Sequence, residues 1–310
     1  MILTICPNPS IDCTIELDNF RVGMLNRIQN KVETYSGKAL NVAIGVARLK
    51  EFDCTATGFM FENQAKLFEQ TLDKEGVLRS FVYNEGDTRV NYKIIDKKGM
   101  LTEINDKGET VSREKQLELI KKVQELGSKV DIAVMSGSLP SGVSPEFYHE
   151  VLKELPKKVK LIVDAEKENL EFALQNPLYM VKPNLRELED FALEPIRTKK
   201  DMVRCACKLI DRGVENVLVS MGADGAILTN GSKHYFCKSA SVAINSTVGA
   251  GDSMVAAVCT GLKRGDSMPE LLRSAVSAGT AAISTSGTNL FYRDKYEEIY
   301  AKVFAEELVL

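Results

Sequence analysis

A glycine-rich segment at residues 247–254, Thr-Val-Gly-Ala-Gly-Asp-Ser-Met, is the part of the sequence best suited to chemistry. Apolar residues at helical spacing follow it, so the pattern predicts a helix with Asp252 in its first turn. Gly249 and Gly251 let the backbone approach a ligand, and a helix N-terminus favours an anion such as a phosphate in transfer. Asp252 can then accept a proton from an attacking hydroxyl. The competing interpretation is an ordinary helix start with a first-turn carboxylate.

Two common nucleotide-binding signatures do not fit this segment. It lacks the third glycine of the dinucleotide fingerprint, and a second helix-like segment, residues 271–283, follows where that fingerprint requires a strand ending in an acidic residue. The P-loop pattern GxxxxGK[ST] does not occur in the sequence. A dinucleotide-binding fold and a P-loop fold are therefore disfavoured.

Composition limits the class of protein and of partner. The 310 residues are 44% hydrophobic and 27% charged with a net charge of −3, which favours one large globular domain and a small-molecule partner over a nucleic acid or a membrane. The first residues do not resemble a signal peptide, and no uncharged stretch is apolar enough to span a bilayer. Seven scattered cysteines without a CxxC pair favour a reduced, cytoplasmic protein.

Short apolar runs that alternate with amphipathic segments must position the chemical residues. The runs expected to form buried strands are 2–6, 55–59, 132–135, 161–163, 179–181 and 217–219. All but the last lead into a helix-like segment, which is typical of an α/β protein whose mostly parallel sheet carries helices on both faces. Ligands of such folds bind beyond the carboxyl ends of the strands.

Two segments depart from this pattern and predict antiparallel ribbons. Residues 10–17 alternate strictly, and residues 89–94 do the same before a further short run at 100–104. We interpret them as a small β-lid, formed by segments near 10–35 and 87–105 within a single domain spanning 1–310, with one polar face directed at a ligand. Edge strands with a solvated face account for the pattern equally well.

Further motifs occur in order along the chain. They are Asn8-Pro9-Ser10-Ile11-Asp12, Gly37-Lys38 with Asn41, Thr88-Arg89-Val90-Asn91, Thr102-Glu103-Ile104-Asn105, Ser136-Gly137-Ser138-Leu139-Pro140, Lys182-Pro183-Asn184 with Glu187, Ser220-Met221-Gly222-Ala223-Asp224-Gly225-Ala226, and residues 246–254. Their order and spacing resemble the PfkB, or ribokinase-like, carbohydrate kinases, in particular the branch that contains 1-phosphofructokinase and tagatose-6-phosphate kinase. The resemblance implies a three-layer α/β sandwich with a mostly parallel central sheet and a small β-sheet lid.

The resemblance also implies an activity, namely phosphorylation of a sugar phosphate by ATP with Mg²⁺. The expected reaction converts fructose 1-phosphate to fructose 1,6-bisphosphate, and the alternatives are tagatose 6-phosphate or another hexose phosphate as acceptor. Asp252 would be the general base, and the backbone of Gly249, Ala250 and Gly251 would be the anion hole for the moving phosphoryl group. Asp12, on the polar face of the lid, would bind sugar hydroxyls.

The remaining residues implied for substrate binding are polar or cationic. They are Gly37, Lys38, Asn41, Arg27, Arg89, Lys93 and Ser138. Lys38 follows a glycine at a predicted helix start, so its ammonium and the helix N-terminus together favour an anion, and the arginines and Lys93 add charge for the substrate's existing phosphate. Each of these cations is alternatively a solvated surface charge, and Ser138 is alternatively only a turn residue.

The nucleotide side of the site rests on the resemblance more than on residue chemistry. The residues implied to contact ATP are Lys182, Asn184, Ser220, Met221, Gly222, Ala223, Asp224, Gly225 and Gly251. Asn184 and Glu187 resemble the family's N-x-x-E element, which holds Mg²⁺ through water. An Asn N-cap with Glu three residues later is also a helix-capping pattern, and the two interpretations are compatible.

The sequence departs from the family's usual pattern in two places. Ser36 and Ala39 flank Gly37-Lys38 where the family usually has glycine, and residues 60–63 replace a glycine-rich stretch, so we expect a reshaped wall of the sugar pocket. These departures raise the alternative of a sugar-phosphate-binding regulator without turnover, although the retained Asp252 and glycines argue against it. Finally, the apolar lid residues Ile11, Cys13, Ile15 and Leu17 need cover, which predicts a homodimer through the lid.

Overall fold

The structure is a computed structural model that describes residues 1–243, 245, 248–285 and 290–309. Its strands are β1 (Ile2–Cys6), β2 (Ser10–Leu17), β3 (Asn30–Ser36), β4 (Cys54–Phe61), β5 (Leu78–Asn84), β6 (Val90–Asp96), β7 (Leu101–Asn105), β8 (Ile132–Ser136), β9 (Lys160–Asp164), β10 (Leu178–Val181), β11 (Val214–Ser220), β12 (Ala226–Thr229), β13 (His234–Cys237) and β14 (Ala305–Glu307). Its helices are α1 (Lys38–Leu49), α2 (Glu62–Glu75), α3 (Arg113–Gly127), α4 (Phe147–Leu152), α5 (Lys167–Ala173), α6 (Leu185–Ala192), α7 (Lys199–Ile210), α8 (Ala250–Arg264), α9 (Met268–Ile283) and α10 (Arg293–Tyr300). Among these described helices, none combines the length and apolar character needed to cross a membrane.

A large central sheet contains the strands that the apolar runs predicted. Its order is β14-β13-β12-β11-β10-β9-β8-β1-β4-β5, and the strands from β11 to β5 run parallel, while β12, β13 and β14 continue the sheet antiparallel. The first strand has the predicted bounds, and the others begin or end one to three residues beyond them. The prediction of a mostly parallel α/β sheet is therefore confirmed.

Alternating side chains of the central sheet pack into two separate cores. In β1, Ile2 and Cys6 belong to the core that contains α1, α8 and α9, whereas Leu3 and Ile5 belong to the core that contains α3, α4 and α7. Successive residues of a strand point to opposite faces, so each apolar strand supplies both cores. Helices on both faces of one sheet make the three-layer arrangement that the sequence predicted.

A second, smaller sheet has the order β3-β2-β6-β7. The pairs β2–β3 and β6–β7 are the two antiparallel ribbons expected from the sequence, and β2 and β6 join them in parallel. Residues paired across the ribbons share a face, so Asp12 lies beside Asn91, and Lys93 lies opposite Glu103. These four side chains line the main cavity, so this polar face is directed at a cavity and is not simply a solvated edge.

The apolar side of β2 is largely covered within the single chain. Ile11, Cys13 and Leu17 are each less than one-tenth exposed, and the neighbouring Tyr35 packs edge-on against Phe68 of α2, with ring centroids 5.3 Å apart. Ile15 is only partly buried, so the expectation that this face needs a second chain for cover is wrong for three of its four residues. Exposed apolar side chains lie elsewhere around this sheet, at Val22, Met24, Leu25, Ile28, Val32, Met100, Leu101 and Ile104.

Candidate active site

A cavity of about 560 Å³ lies between the small sheet, the carboxyl ends of β9 to β11 and the first turn of α8. Sequence-predicted site residues that line it are Asp12, Gly37, Lys38, Asn41, Arg89, Lys93, Lys182, Asn184, Glu187, Ser220, Gly222, Ala223, Gly225, Gly249, Ala250, Gly251 and Asp252. The chain thus brings most of the residues singled out above to one place, although they are spread over more than two hundred positions of sequence.

The first turn of α8 leaves its backbone open to the cavity. Gly249 is the N-cap in a left-handed conformation, with φ of 76°, and no side chain among the described residues caps the helix. A Cβ atom at this position would lie 2.6 Å from Leu290, so both the backbone and the available space require glycine. An uncapped helix start leaves N–H groups available to an anion in the cavity. The neighbouring Ser246 and Thr247 of this motif lie outside the described residues.

Asp252 is the third residue of α8 and its side chain is buried. Burial raises the pKa of Asp252 to about 6, and the negative charge of Asp164 acts in the same direction. A hydrogen bond from Asn41 and the charges of Lys38 and Lys182 oppose this shift. A carboxylate with a pKa near 6 is mostly ionised at neutral pH and still basic enough to take up a proton.

Helices α1 and α8 cross closely beside Asp252. The side-chain amide of Asn41 donates a hydrogen bond to Asp252 Oδ2 over 2.8 Å. One helical turn further along each helix, a Cβ atom on Gly45 would lie only 2.6 Å from Cβ of Ala256. The absence of a side chain at Gly45 therefore allows the close approach that brings Asn41 to Asp252.

Asp164, the last residue of β9, carries a buried carboxylate at the floor of the cavity. Burial tends to raise the pKa of Asp164, but Lys182 Nζ at 3.5 Å and Lys38 Nζ at 3.8 Å lower it overall. The same pairing, chiefly with Asp164, raises the pKa of Lys38. Sequence reasoning missed Asp164. A carboxylate directly after the buried run Leu-Ile-Val, where a parallel strand ends, was the signal that could have found it.

Asn184 and Glu187 form a complete capping box at the start of α6. The Asn184 side chain accepts from the Glu187 N–H, and the two carboxylate oxygens of Glu187 accept from the backbone and side-chain N–H groups of Asn184, at 2.9 and 2.6 Å. The capping interpretation is confirmed. Burial raises the pKa of Glu187, so its ionised form lacks the solvation it would have in water.

The polar face of the small sheet contains a buried ion pair. Lys93 Nζ lies 3.0 Å from Asp12 Oδ2, and the Asn91 amide donates to Asp12 Oδ1 over 3.2 Å. Both charged side chains are about one-tenth exposed. The ammonium of Lys93 is thus already paired with Asp12 in this structure.

Arg89 and Lys38 also line a second cavity of about 470 Å³, which contains Asn8, Ser138 and Lys167. The Arg89 guanidinium donates to the carbonyls of Pro9 and Asn8, both at 3.3 Å, and burial lowers its pKa. The Asn8 amide donates to the Ser138 hydroxyl over 3.2 Å. Asn8 Oδ1 is buried without a hydrogen-bond partner among the described residues.

Some predicted site residues lie elsewhere. Arg27 is exposed between β2 and β3 and does not line either cavity of the single chain, and Met221 and Asp224 belong to the turn after β11 without lining the main cavity. This turn requires glycine at position 225, because a Cβ atom there would lie 2.0 Å from the carbonyl oxygen of Cys237. No group of three or more His, Cys, Asp or Glu side chains suited to a metal ion occurs in the described part of the chain.

Residues 60–63 do not line the main cavity, so they do not form the reshaped wall that the sequence led us to expect. Met60 and Phe61 end β4 with buried side chains in the two cores, and α2 begins at Glu62. The side chains of Asn63 and Gln64 both donate to the carboxylate of Asp87, at 3.0 and 2.7 Å. These two hydrogen bonds link the start of α2 to the segment before β6, and they do not point into the main cavity.

Comparisons with known proteins agree with this geometry. The family profile of the pfkB family carbohydrate kinases matches residues 7–295. The chain is 32% identical over 303 residues to the 1-phosphofructokinase of Escherichia coli (strain K12), covering 97% of each chain. It is 29% identical over 307 residues to the tagatose-6-phosphate kinase of Staphylococcus epidermidis (strain ATCC 35984), covering 98% of each.

Solved structures lead to the same group of proteins. Two structures of phosphofructokinase-2 from Escherichia coli, one in complex with substrates and products and one of the tetrameric inhibited form, superpose with TM-scores of 0.90 and 0.88. Both are 28% identical to this chain and cover 97% of it and 98% of their own length. The resemblance inferred from the motifs and the ribokinase-like fold are therefore confirmed.

Proposed function

This chain belongs to the pfkB family of carbohydrate kinases, and on that basis we propose that it transfers the γ-phosphoryl group of ATP to fructose 1-phosphate, giving fructose 1,6-bisphosphate. Membership of the family makes the protein a phosphotransferase acting on a sugar or sugar phosphate. Relatives named 1-phosphofructokinase support fructose 1-phosphate as the acceptor. Tagatose 6-phosphate is the second candidate, because relatives of similar length carry that name.

One observation supports this function above the others. The buried carboxylate of Asp252 lies in the first turn of a helix that no described side chain caps, inside a cavity that also holds the ammonium groups of Lys38 and Lys182. A proton acceptor, open backbone N–H groups and two cations in one cavity match the needs of phosphoryl transfer, in which proteins act mainly by positioning groups and neutralising charge. The same arrangement makes a binding protein without turnover the weaker alternative.

The chemical step follows from this geometry. Asp252 takes the proton of the acceptor hydroxyl as its oxygen bonds to the γ-phosphorus, and the bond from that phosphorus to the β–γ bridging oxygen breaks to release ADP. The N–H groups at Gly249 to Gly251 and the ammonium of Lys182 bind the equatorial oxygens of the phosphoryl group in transit. The proton on Asp252 returns to solvent after the products leave.

The residues around Asp252 suggest how the two substrates lie. ATP would run along the turn from Ser220 to Gly225, towards α8. Asp12, held by Lys93 and Asn91, would accept hydrogen bonds from sugar hydroxyls under the small sheet, which acts as a lid. The existing phosphate of the substrate would lie by Arg89 and Lys38, where the two cavities meet, with the Ser138 hydroxyl as a further donor.

A magnesium ion would accompany ATP, and the residues at the start of α6 fit it. Glu187 is a half-buried carboxylate whose pKa is raised by partial burial, so a nearby cation would stabilise its charged form. Both of its oxygens already accept hydrogen bonds from Asn184, which favours a hydrated ion held through water. The ion would neutralise charge on the phosphates of ATP.

Exposed apolar side chains of the small sheet and its loops, including Leu25 and Ile104, support a homodimer through the lid, although by residues other than those of β2.

The seven cysteines are all free, which fits a reducing compartment such as the cytoplasm.

A coupled ADP-release assay on a panel of sugar phosphates tests the proposed function. We expect turnover with fructose 1-phosphate, a lower kcat/KM with tagatose 6-phosphate, and almost none with unphosphorylated fructose. Faster turnover of tagatose 6-phosphate would reassign the acceptor. Tight binding of a sugar phosphate without any ADP release would favour a regulator and overturn the kinase assignment.

A further inference from the structure

A chain of two hydrogen bonds connects Ser36 to Asp252. The Ser36 hydroxyl donates to Asn41 Oδ1 over 3.3 Å, and Asn41 Nδ2 donates to Asp252 Oδ2 over 2.8 Å. Ser36 is the last residue of β3 and is buried at the wall of the main cavity. Three elements, β3, α1 and α8, thus meet through these three side chains.

The orientation of the Asn41 amide decides whether it helps or hinders Asp252. An amide has a donor end and an acceptor end, and only the donor end stabilises a carboxylate. With Nδ2 on Asp252, Oδ1 must face the opposite side, where Ser36 supplies an O–H donor. A glycine or alanine at position 36 has no such donor, so Asn41 would lose the contact that distinguishes its two orientations.

We propose that Ser36 is a positioning residue whose hydroxyl fixes the Asn41 amide with its donor end on Asp252. This inference rests on the proposed function only for its effect on turnover. Ser36 does not need to touch either substrate in this role, because it acts through Asn41. Ser36 stands where the family usually has glycine. In this role it belongs to the hydrogen-bonded group that orients Asn41 toward Asp252.

Other charged groups also act on Asp252, and Ser36 must be separated from them. Asp164 reaches it from the end of β9, Lys38 from the start of α1, and Lys182 from the segment after β10. None of these three groups is a hydrogen-bond partner of Ser36 among the described residues, so removing the Ser36 hydroxyl breaks none of their contacts. Loss of a properly oriented Asn41 donor removes one contact that favours the ionised carboxylate, so the affinity of Asp252 for protons should rise.

The direct test is a carboxyl-carbon NMR titration of Asp252 in the wild-type protein, Ser36→Ala and Ser36→Thr, with Asp252→Asn used to assign the signal. We expect the midpoint to rise by roughly half a pH unit in Ser36→Ala and to stay at the wild-type value in Ser36→Thr, which keeps the hydroxyl. An unchanged midpoint in Ser36→Ala would overturn the proposal. This readout does not require turnover, so it remains decisive even if the protein proves not to be a kinase.

Kinetics give a second, independent test. Ser36→Ala should lower kcat at pH 7 by about 3- to 10-fold and leave the KM for ATP unchanged. In the pH profile of kcat, the acid limb should move to higher pH. In an Asn41→Ala background the same substitution should have no further effect. Equal losses in both backgrounds, or a rise in the KM for ATP without a shifted acid limb, would contradict action through Asn41. Circular dichroism and thermal unfolding of each variant establish that it folds.

Discussion

The ammonium of Lys182 lies 3.0 Å from the point where a Cβ atom on Gly251 would stand. The end of the Lys182 side chain therefore rests against the first turn of α8, next to the open N–H groups. Backbone dipole and side-chain charge act on the same small volume, which favours an anion at this point of the cavity.

Gly251→Ala is expected to damage this anion site without unfolding the protein. The added methyl group meets the flexible end of Lys182, so the ammonium must move while the fold is kept. We expect kcat to fall about 100-fold, as when one donor to a transition-state oxyanion is lost. Lys182→Met should cost a similar amount, and the double variant little more than either single one. Steady-state kinetics at saturating substrates measure this, and an activity near wild type in Gly251→Ala would contradict it.

Asp252→Asn is expected to stabilise the protein above pH 6. The folded-state pKa of about 6 exceeds the ordinary value of 3.8, so the folded chain binds the proton more tightly than the unfolded chain does. The stability contributed by protonated Asp252 is full below about pH 4 and is lost as pH rises through 6. Asparagine avoids that loss, so the free energy of unfolding should exceed wild type by about 2–3 kcal/mol at pH 8 and by little at pH 4.

Chemical denaturation at the two pH values measures this difference. Asp211→Asn, at the exposed end of α7, serves as the matched control, and we expect a change below about 0.5 kcal/mol. If Asp252→Asn has a lower free energy of unfolding than wild type at pH 8, the buried charge of Asp252 does not destabilise the fold.

Leu193→Asn is expected to stabilise the fold away from the site. Leu193 caps α6 in a left-handed conformation, with φ of 56°, and its side chain is 90% exposed. Asparagine tolerates this conformation better than leucine, so we expect a gain of about 0.5–1 kcal/mol in thermal or chemical unfolding. Leu117→Asn on α3, exposed but right-handed, is the control and should lose stability. Loss of stability at position 193 would refute the strain argument.

The oligomeric state depends on the apolar residues that remain exposed around the small sheet. We expect sedimentation at twice the mass of one chain, and a single-chain mass after Leu25→Asp combined with Ile104→Asp. Leu117→Asp, an exposed apolar residue on α3, should leave the dimer intact. A wild-type protein that sediments as a monomer at micromolar concentration would exclude this assembly.

Local sequence pattern was enough to predict the fold and the first turn of α8. Residues 2–6 and 10–17 have the predicted strand bounds because an apolar run in the first and a strict alternation in the second extend over the whole element. Strands β5 and β12 to β14 were not identified from the pattern. The last three have only three or four residues each and depend on pairing with a neighbour. Short strands at a sheet edge carry too few residues to show a period.

Pairwise contacts in the site were harder to predict than its location. The sequence indicated Asp12 and Lys93 separately, but not that they form an ion pair. It also placed Asn41 with the substrate, whereas the amide contacts Asp252 on a helix more than two hundred residues away. The ion pair depends on the pairing of β2 with β6, and the Asn41 contact depends on the crossing of α1 and α8 at Gly45; no local pattern encodes either tertiary feature.

The central claim, that Asp252 is the general base of a sugar-phosphate kinase, is tested most directly by the kinetics of Asp252→Asn. We predict a kcat lower by roughly 10²–10⁴-fold with the best acceptor sugar phosphate, and an ATP affinity by calorimetry within about 2-fold of wild type. A kcat equal to that of the wild-type enzyme would contradict the claim.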